Sequence, residues 1–199
     1  MAGMSFFDDM PATEPEPEPR IRHPWDLPDA ELPGNVLVDT LPLGRTDRAA
    51  VAVTGISAYS AGFEIFLTAR FRPERVMASG AQRPGAALAR MEDPRAIRRS
   101  LRFGLQLSDG RKVIGEHGGP GPGTDAEPDG PILRQFMGGG GPRSLFTRWW
   151  AWPLPLAGPV EFVCEWPALE IPETRASIDA QLILDGAARS VQLWREQGS

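Results

Sequence analysis

Apart from its acidic residues, this chain has few side chains suited to acid-base or nucleophilic chemistry: two histidines, one cysteine and one lysine. Glu165 precedes Trp166 and Pro167, at a point where a predicted strand meets a proline that could aim the carboxylate into a cleft. His117 lies at a predicted loop edge and has the ordinary chemistry of an acid or base near neutral pH. With an arginine such as Arg148, these side chains are the candidates for a catalytic cleft. The enzyme hypothesis requires that all three converge around one pocket.

Other catalytic and metal-binding patterns are missing from the sequence. The single cysteine, Cys164, and the two histidines do not have the spacing of a zinc site, so we predict no metal and no cofactor. The only lysine, Lys112, follows no glycine-rich phosphate loop, and no Gly-x-Ser-x-Gly motif occurs. Glu161 and Glu165 share a predicted strand face but lie about 13 Å apart, too far for a glycosidase pair. A non-enzymatic role is therefore favoured.

Three tryptophans form the first candidate binding feature. Trp149, Trp150 and Trp152 occupy three of the four positions after Arg148 and precede the segment Pro-Leu-Pro at 153–155. In one interpretation two of them fill the core and one covers an edge. In the other they form an aromatic platform for a sugar, a proline-rich segment or a partner protein. Recognition of a sugar requires at least one exposed ring on Trp149 or Trp150.

The glycine run at 138–141 is a second candidate. Gly139 and Gly140 at its centre either present backbone amides to an anion or belong to a flexible linker. By composition, we predict loops over residues 118–131 and 137–142.

Charge is distributed unevenly along the chain. Residues 1–33 contain eight acidic and two basic residues, a net charge of −6, and residues 13–19 alternate proline with glutamate, so we predict a disordered acidic tail over 1–22. Residues 70–102 contain nine arginines and three acids, a net charge of +6, and Arg95, Arg98 and Arg99 are its binding candidates. The opposite charges suggest that the tail docks on this segment and competes with an anionic partner. A sequence pI of about 5.1 and the lack of a recognised motif argue against nucleic acid.

The pattern of side chains predicts the elements that must position these residues. Alternation of apolar and polar residues predicts strands over 36–38, 49–59, 63–71, 101–107, 111–114, 145–152 and 160–166. Apolar residues spaced by three and four between Ala180 and Trp194 predict one amphipathic helix over 179–195, with Asp179 as its N-cap. Cys164 shares a strand face with Phe162, which predicts a buried and inert thiol.

These elements predict a mainly β fold. Glycine and proline together make 43 of the 199 residues, which favours short elements joined by turns. We expect an antiparallel β-sandwich or open barrel with one C-terminal amphipathic α-helix, folded as a single domain over residues 23–196.

Several motifs of this chain are similar to those of a family of uncharacterised small actinobacterial proteins. The most specific are Trp-Pro-Leu-Pro at 152–155 and Cys-Glu-Trp-Pro at 164–167, and the matching pieces span residues 24–194. The resemblance implies no catalytic residue, cofactor or partner.

The most consistent interpretation is a non-enzymatic, cytoplasmic binding module. It would recognise a protein partner or small ligand through the Trp/Pro-rich loop and the arginine-rich segment. The alternatives are an enzyme with a Glu/His/Arg cleft and a carbohydrate-binding module. One cysteine fits a reducing cytoplasm, and the chain lacks both a run of 18 apolar residues and the pattern of a signal peptide, so we expect neither a membrane span nor export.

Overall fold

The computed structural model describes residues 23–36, 39–72, 101–117, 127–141 and 143–194, and the chain is mainly β within these ranges. The strands are β1 (Glu31–Leu32), β2 (Gly34–Asn35), β3 (Leu41–Arg45), β4 (Ala49–Ala58), β5 (Phe63–Phe71), β6 (Arg102–Gln106), β7 (Lys112–Ile114), β8 (Glu116–His117), β9 (Ile132–Gly141), β10 (Ser144–Trp152), β11 (Pro159–Trp166), β12 (Ile171–Asp179) and β13 (Val191–Gln192). One helix, α1 (Ala180–Ala187), follows β12, and a single 3-10 turn covers Pro167–Leu169.

Two sheets form a sandwich, as the alternating pattern predicts. The large sheet has seven strands in the order β2, β4, β5, β10, β9, β8, with β3 also paired to β4. The small sheet has the order β12, β11, β6, β7. Their inner faces share one core, in which Phe103 of β6 contacts Trp149 of β10 at a ring-centroid distance of 5.3 Å. The sandwich therefore has two outer faces, one on each sheet.

The strands with the clearest alternation are confirmed to within one residue at each end, namely β4, β5, β6, β7, β10 and β11. The turn between β6 and β7 is also confirmed, because Gly110 adopts the φ of 85° that a tight hairpin turn favours. Of the predicted strand at 36–38, Val36 is a buried residue outside any strand, and residues 37 and 38 lie outside the described part.

The loop predicted over 137–142 is wrong for 137–141, because Met137 and all four glycines of the run belong to β9. Residue 142 lies outside the described part. Their backbones pair with β10, where Gly139 lies opposite Phe146. A Cβ atom on Gly139 would lie 2.9 Å from the Phe146 ring, so the missing side chain makes room for this aromatic residue. The glycines therefore form neither a linker nor a loop.

The helix predicted over 179–195 is correct at its start and wrong at its end. The Asp179 carboxylate caps α1 by accepting a hydrogen bond of 2.9 Å from the backbone N–H of Gln181. The helix ends at Ala187, and Val191 then pairs with Leu32 in the two-stranded sheet of β1 and β13. Pairing with β1, which the spacing of apolar residues does not reveal, replaces the last helical turns.

No helix in the described ranges has both the length and the apolar character that a membrane crossing needs. The predicted acidic tail at 1–22 lies outside the described residues, as do Arg95, Arg98 and Arg99.

Candidate functional site

The three residues proposed for an enzyme cleft lie on three different surfaces. Glu165 is on the outer face of the small sheet, where it forms an ion pair with Arg102. Arg148 is on the outer face of the large sheet, next to Phe66 of β5. His117 is on β8 at the edge of the large sheet, where Nδ1 lies 2.7 Å from Oε1 of Gln135 and the ring meets Trp149 edge-on. The side chains do not converge, so the geometry offers no shared pocket.

Trp149 and Trp150 are both buried, on opposite faces of β10. Trp149 points into the sandwich core, and its Nε1–H donates a hydrogen bond of 2.8 Å to Oγ1 of Thr147. Trp150 points to the outer face, where its Nε1–H donates a hydrogen bond of 2.8 Å to the backbone carbonyl of Trp25. Neither indole ring is free to stack on a sugar. Trp152, at the end of β10, is partly exposed.

The segment around Trp25 covers one end of the large sheet's outer face. The Trp25 ring meets Trp152 edge-on at 6.3 Å between centroids and stacks on His23 at 4.6 Å. Tyr59 also contacts Trp150, at 5.6 Å between ring centroids. These aromatic residues form a second apolar layer outside the sandwich core, and they explain why Trp150 is inaccessible.

A buried carboxylate lies under this layer. Glu64 of β5 is 1% exposed, and its Oε1 lies 2.6 Å from Nη2 of Arg148. The contact is an ion pair without hydrogen-bond geometry, since Oε1 has no hydrogen-bond partner in the described structure. Burial, and then the nearby Glu64 carboxylate, raise the pKa of the Tyr59 phenol. The ion pair with Glu64 holds Arg148 in place on the outer face of the large sheet. Arg148 lies where the part of this face that the aromatic layer covers meets the part that stays open.

Beyond Arg148 the outer face is open and carries large apolar side chains close to the guanidinium. The guanidinium of Arg148 lies 4.9 Å from the ring centroid of Phe66 and 5.3 Å from that of Phe136. Phe146 is 47% exposed and Met137 is 46% exposed beside it. We call Phe66, Phe136, Met137, Phe146 and Arg148 the Phe/Arg face. Large apolar side chains exposed together around an arginine are typical of protein interaction sites.

Sequence reasoning selected Arg148 and Gly139 but assigned them other roles. Gly139 pairs with Phe146 on the Phe/Arg face, whereas Gly140 lies one residue further, where a Cβ atom would meet the backbone carbonyl of Ser144 at 2.4 Å. The sequence did carry one signal for the face, since Phe66 and Phe146 both occupy outward positions in alternating strands. Whether Phe66 and Phe146 lie near each other depends on which strands pair, and alternation within a strand does not show this.

A groove of about 230 Å³ lies on the opposite side of the sandwich, on the outer face of the small sheet. Gly104 forms part of its floor, and charged side chains line it. Four of the five charged side chains that line it are paired, because Arg102 pairs with Glu165 and Arg175 pairs with Glu173. The fifth is Lys112, and Arg175 also pairs with Glu161. Exposed pairs of this kind stabilise little and are common on sheet surfaces.

No group of three or more histidine, cysteine or acidic residues in the part that the structure describes has the arrangement of a metal site. No protein-family model, no curated protein and no solved structure matches this chain. The geometry of the described residues is therefore the basis for a functional proposal.

Cys164 is buried in the core, as predicted. Burial, and then the charge of Glu165, raise the pKa of its thiol from 9.0 to about 12. We expect no reaction of the folded protein with Ellman's reagent at about pH 8, where the thiol stays protonated, and reaction of one thiol after unfolding in guanidinium. Folding raises the pKa of the thiol, so the protonated thiol favours the folded state, and this contribution to the free energy of unfolding is fully present below pH 9.0. It is lost as the pH rises toward about 12. Fast labelling under native conditions would contradict this expectation.

Proposed function

We propose that this chain is a non-enzymatic binding module that recognises a protein partner through the Phe/Arg face. One observation carries the proposal: Phe146 and Met137 are each almost half exposed beside an arginine held by a buried carboxylate. Aromatic residues, methionine and arginine are enriched in protein interfaces, and rigid anchors among them contribute most of the binding energy. The ion pair holds Arg148 in place, so little side-chain entropy is lost when a partner binds.

The Trp/Pro-rich loop extends this proposed surface. It leaves β10 at Trp152, which is partly exposed, and reaches Leu156, which is 62% exposed. Both therefore offer further apolar contact area. The arginine-rich segment lies mostly outside the described residues, and its part in recognition stays a prediction.

A non-enzymatic role is supported by the positions of the catalytic candidates. Glu165, His117 and Arg148 each contact a different neighbour on a different surface. Carbohydrate recognition by Trp149 or Trp150 receives no support, because both rings are buried.

Phe146→Ser tests the proposal. Ile114→Ser is its matched control, because Ile114 is 81% exposed on β7 of the other sheet. We expect affinity purification from the native host to recover a partner with the wild type and with Ile114→Ser. Recovery with Phe146→Ser should fall at least about tenfold, since losing an aromatic anchor costs about 2 kcal/mol or more. Equal recovery by all three proteins would contradict the proposal.

We further propose that the chain works in the cytoplasm and belongs to the actinobacterial family named above. The single cysteine, which is free and buried, supports a reducing compartment. The Trp-Pro-Leu-Pro and Cys-Glu-Trp-Pro motifs support the family proposal.

A further inference from the structure

A row of arginines continues the Phe/Arg face toward β3. Arg45 lies opposite Ala50, and Ala50 lies opposite Arg70 on its other side. Residues that are directly opposite on neighbouring strands share a face. Arg45 and Arg70 therefore project from the same outer face as Phe66 and Arg148, and both are exposed.

Within the described residues, these two arginines have no ion-pair partner, since no carboxylate there lies within 4.0 Å of either guanidinium. The next cross-strand rows contain Thr68 with Phe146, and then Phe66 with Arg148. No acidic side chain occurs in these three rows, and Glu64 appears only in the fourth, where it is buried and lies opposite Trp150. The open part of the face is thus basic at one end and aromatic at the other.

The face also has room for an extended chain. Next to the first two rows, the outward positions on β4 hold the small residues Ala50 and Ala52. Beyond them Thr54 is exposed on the same face, with its Oγ1 3.0 Å from that of Thr68. On β5 the outward neighbours are larger, from Arg70 to Phe66. Ala50 and Ala52 project less than Arg70 and Phe66, and we call the strip over these two alanines the trough. Arg70 lies four positions after Phe66 on β5, which corresponds to about 13 Å, or a spacing of four positions in an extended peptide.

We infer that the partner, if the proposed function holds, presents an acidic extended segment to this trough. One or two carboxylates would pair with Arg45 and Arg70, and an apolar side chain about four positions away would pack on Phe66 and Phe146. Charge complementarity and the apolar contact then fix the direction of the segment. This inference deepens the proposed function by naming the chemistry of the partner.

Selection from a random 12-residue peptide library displayed on phage tests the inference with the full-length protein. We expect enriched peptides to combine aspartate or glutamate with an aliphatic or aromatic residue about four positions away. Peptides synthesised from the selection should bind with an affinity that decreases as salt increases. The double variant Arg45→Gln/Arg70→Gln should weaken binding about tenfold. The double variant Arg111→Gln/Lys112→Gln changes the net charge equally on the other sheet and should leave binding unchanged.

These experiments distinguish a failure of the proposed function from a failure of the inference alone. If selected peptides bind Phe146→Ser as tightly as the wild type, the proposed function fails with the inference. If binding needs Phe146 but the peptides are neutral or basic, or Arg45→Gln/Arg70→Gln binds equally well, only the inference is overturned. It is also overturned if single-stranded RNA binds the same arginines more tightly than any selected peptide. Peptide binding seen only after the five acids at Asp8, Asp9, Glu14, Glu16 and Glu18 are changed to amides would assign the face to the chain's own acidic segment.

Discussion

Replacing Arg148 with methionine is expected to lower the free energy of unfolding by about 3–5 kcal/mol, the usual cost of leaving a buried charge without its partner. Glu64 is 1% exposed, so its carboxylate cannot turn to water when the guanidinium is removed. Methionine keeps much of the apolar contact with Phe66 and Phe136, so the loss is mainly electrostatic. Urea unfolding followed by tryptophan fluorescence measures the difference.

Two further variants separate the effect of the lost charge on the free energy of unfolding from the effect of the lost packing. Glu64→Gln removes the negative charge, and the double variant Glu64→Gln/Arg148→Met removes both charges. We expect the double variant to be clearly more stable than Arg148→Met alone, because no charge then stays buried without a partner. A loss below about 1 kcal/mol for Arg148→Met would contradict the buried position of Glu64.

Most of the sandwich could be predicted from the sequence because alternation is a local property. In β5 every second residue from Phe63 to Phe71 is buried, and this pattern needs no knowledge of the strand's neighbours. β9 was missed for the opposite reason. Its glycines carry no side chains and so have no pattern, and only pairing with β10 makes them a strand. β13 was missed because Val191 continues the helical spacing, while Leu32, with which it pairs, lies about 160 residues earlier.

The candidate site was less predictable, because it depends on strand register. Alternation along β10 is enough to place Trp149 on one face and Trp150 and Trp152 on the other, as the pairing with β5 and β9 has them. It could not show that the segment at Trp25 covers the outer face, a contact across 125 residues. The ion pair of Glu64 and Arg148 likewise depends on the pairing of β5 with β10. Long-range pairing of this kind leaves no signature in one sequence.

Trp149→Ala is expected to lower the free energy of unfolding by about 3–5 kcal/mol, the cost of a large cavity in a packed core. The Trp149 ring is fully buried and touches Phe103. A Cβ atom on Gly115 would lie 2.5 Å from this ring, so the site is filled by the indole. The variant also leaves the Thr147 hydroxyl without its hydrogen-bond donor. Chemical denaturation measures the loss.

Trp152→Ala is the matched control, because Trp152 is partly exposed at the end of the same strand and should cost less. If Trp149→Ala and Trp152→Ala were equally stable, the position of Trp149 in the core would be contradicted. The expected difference also decides how binding experiments must be interpreted. Loss of a partner by Trp149→Ala would report partial unfolding of the core, so substitutions at exposed Phe146 are the ones that report on the binding surface itself.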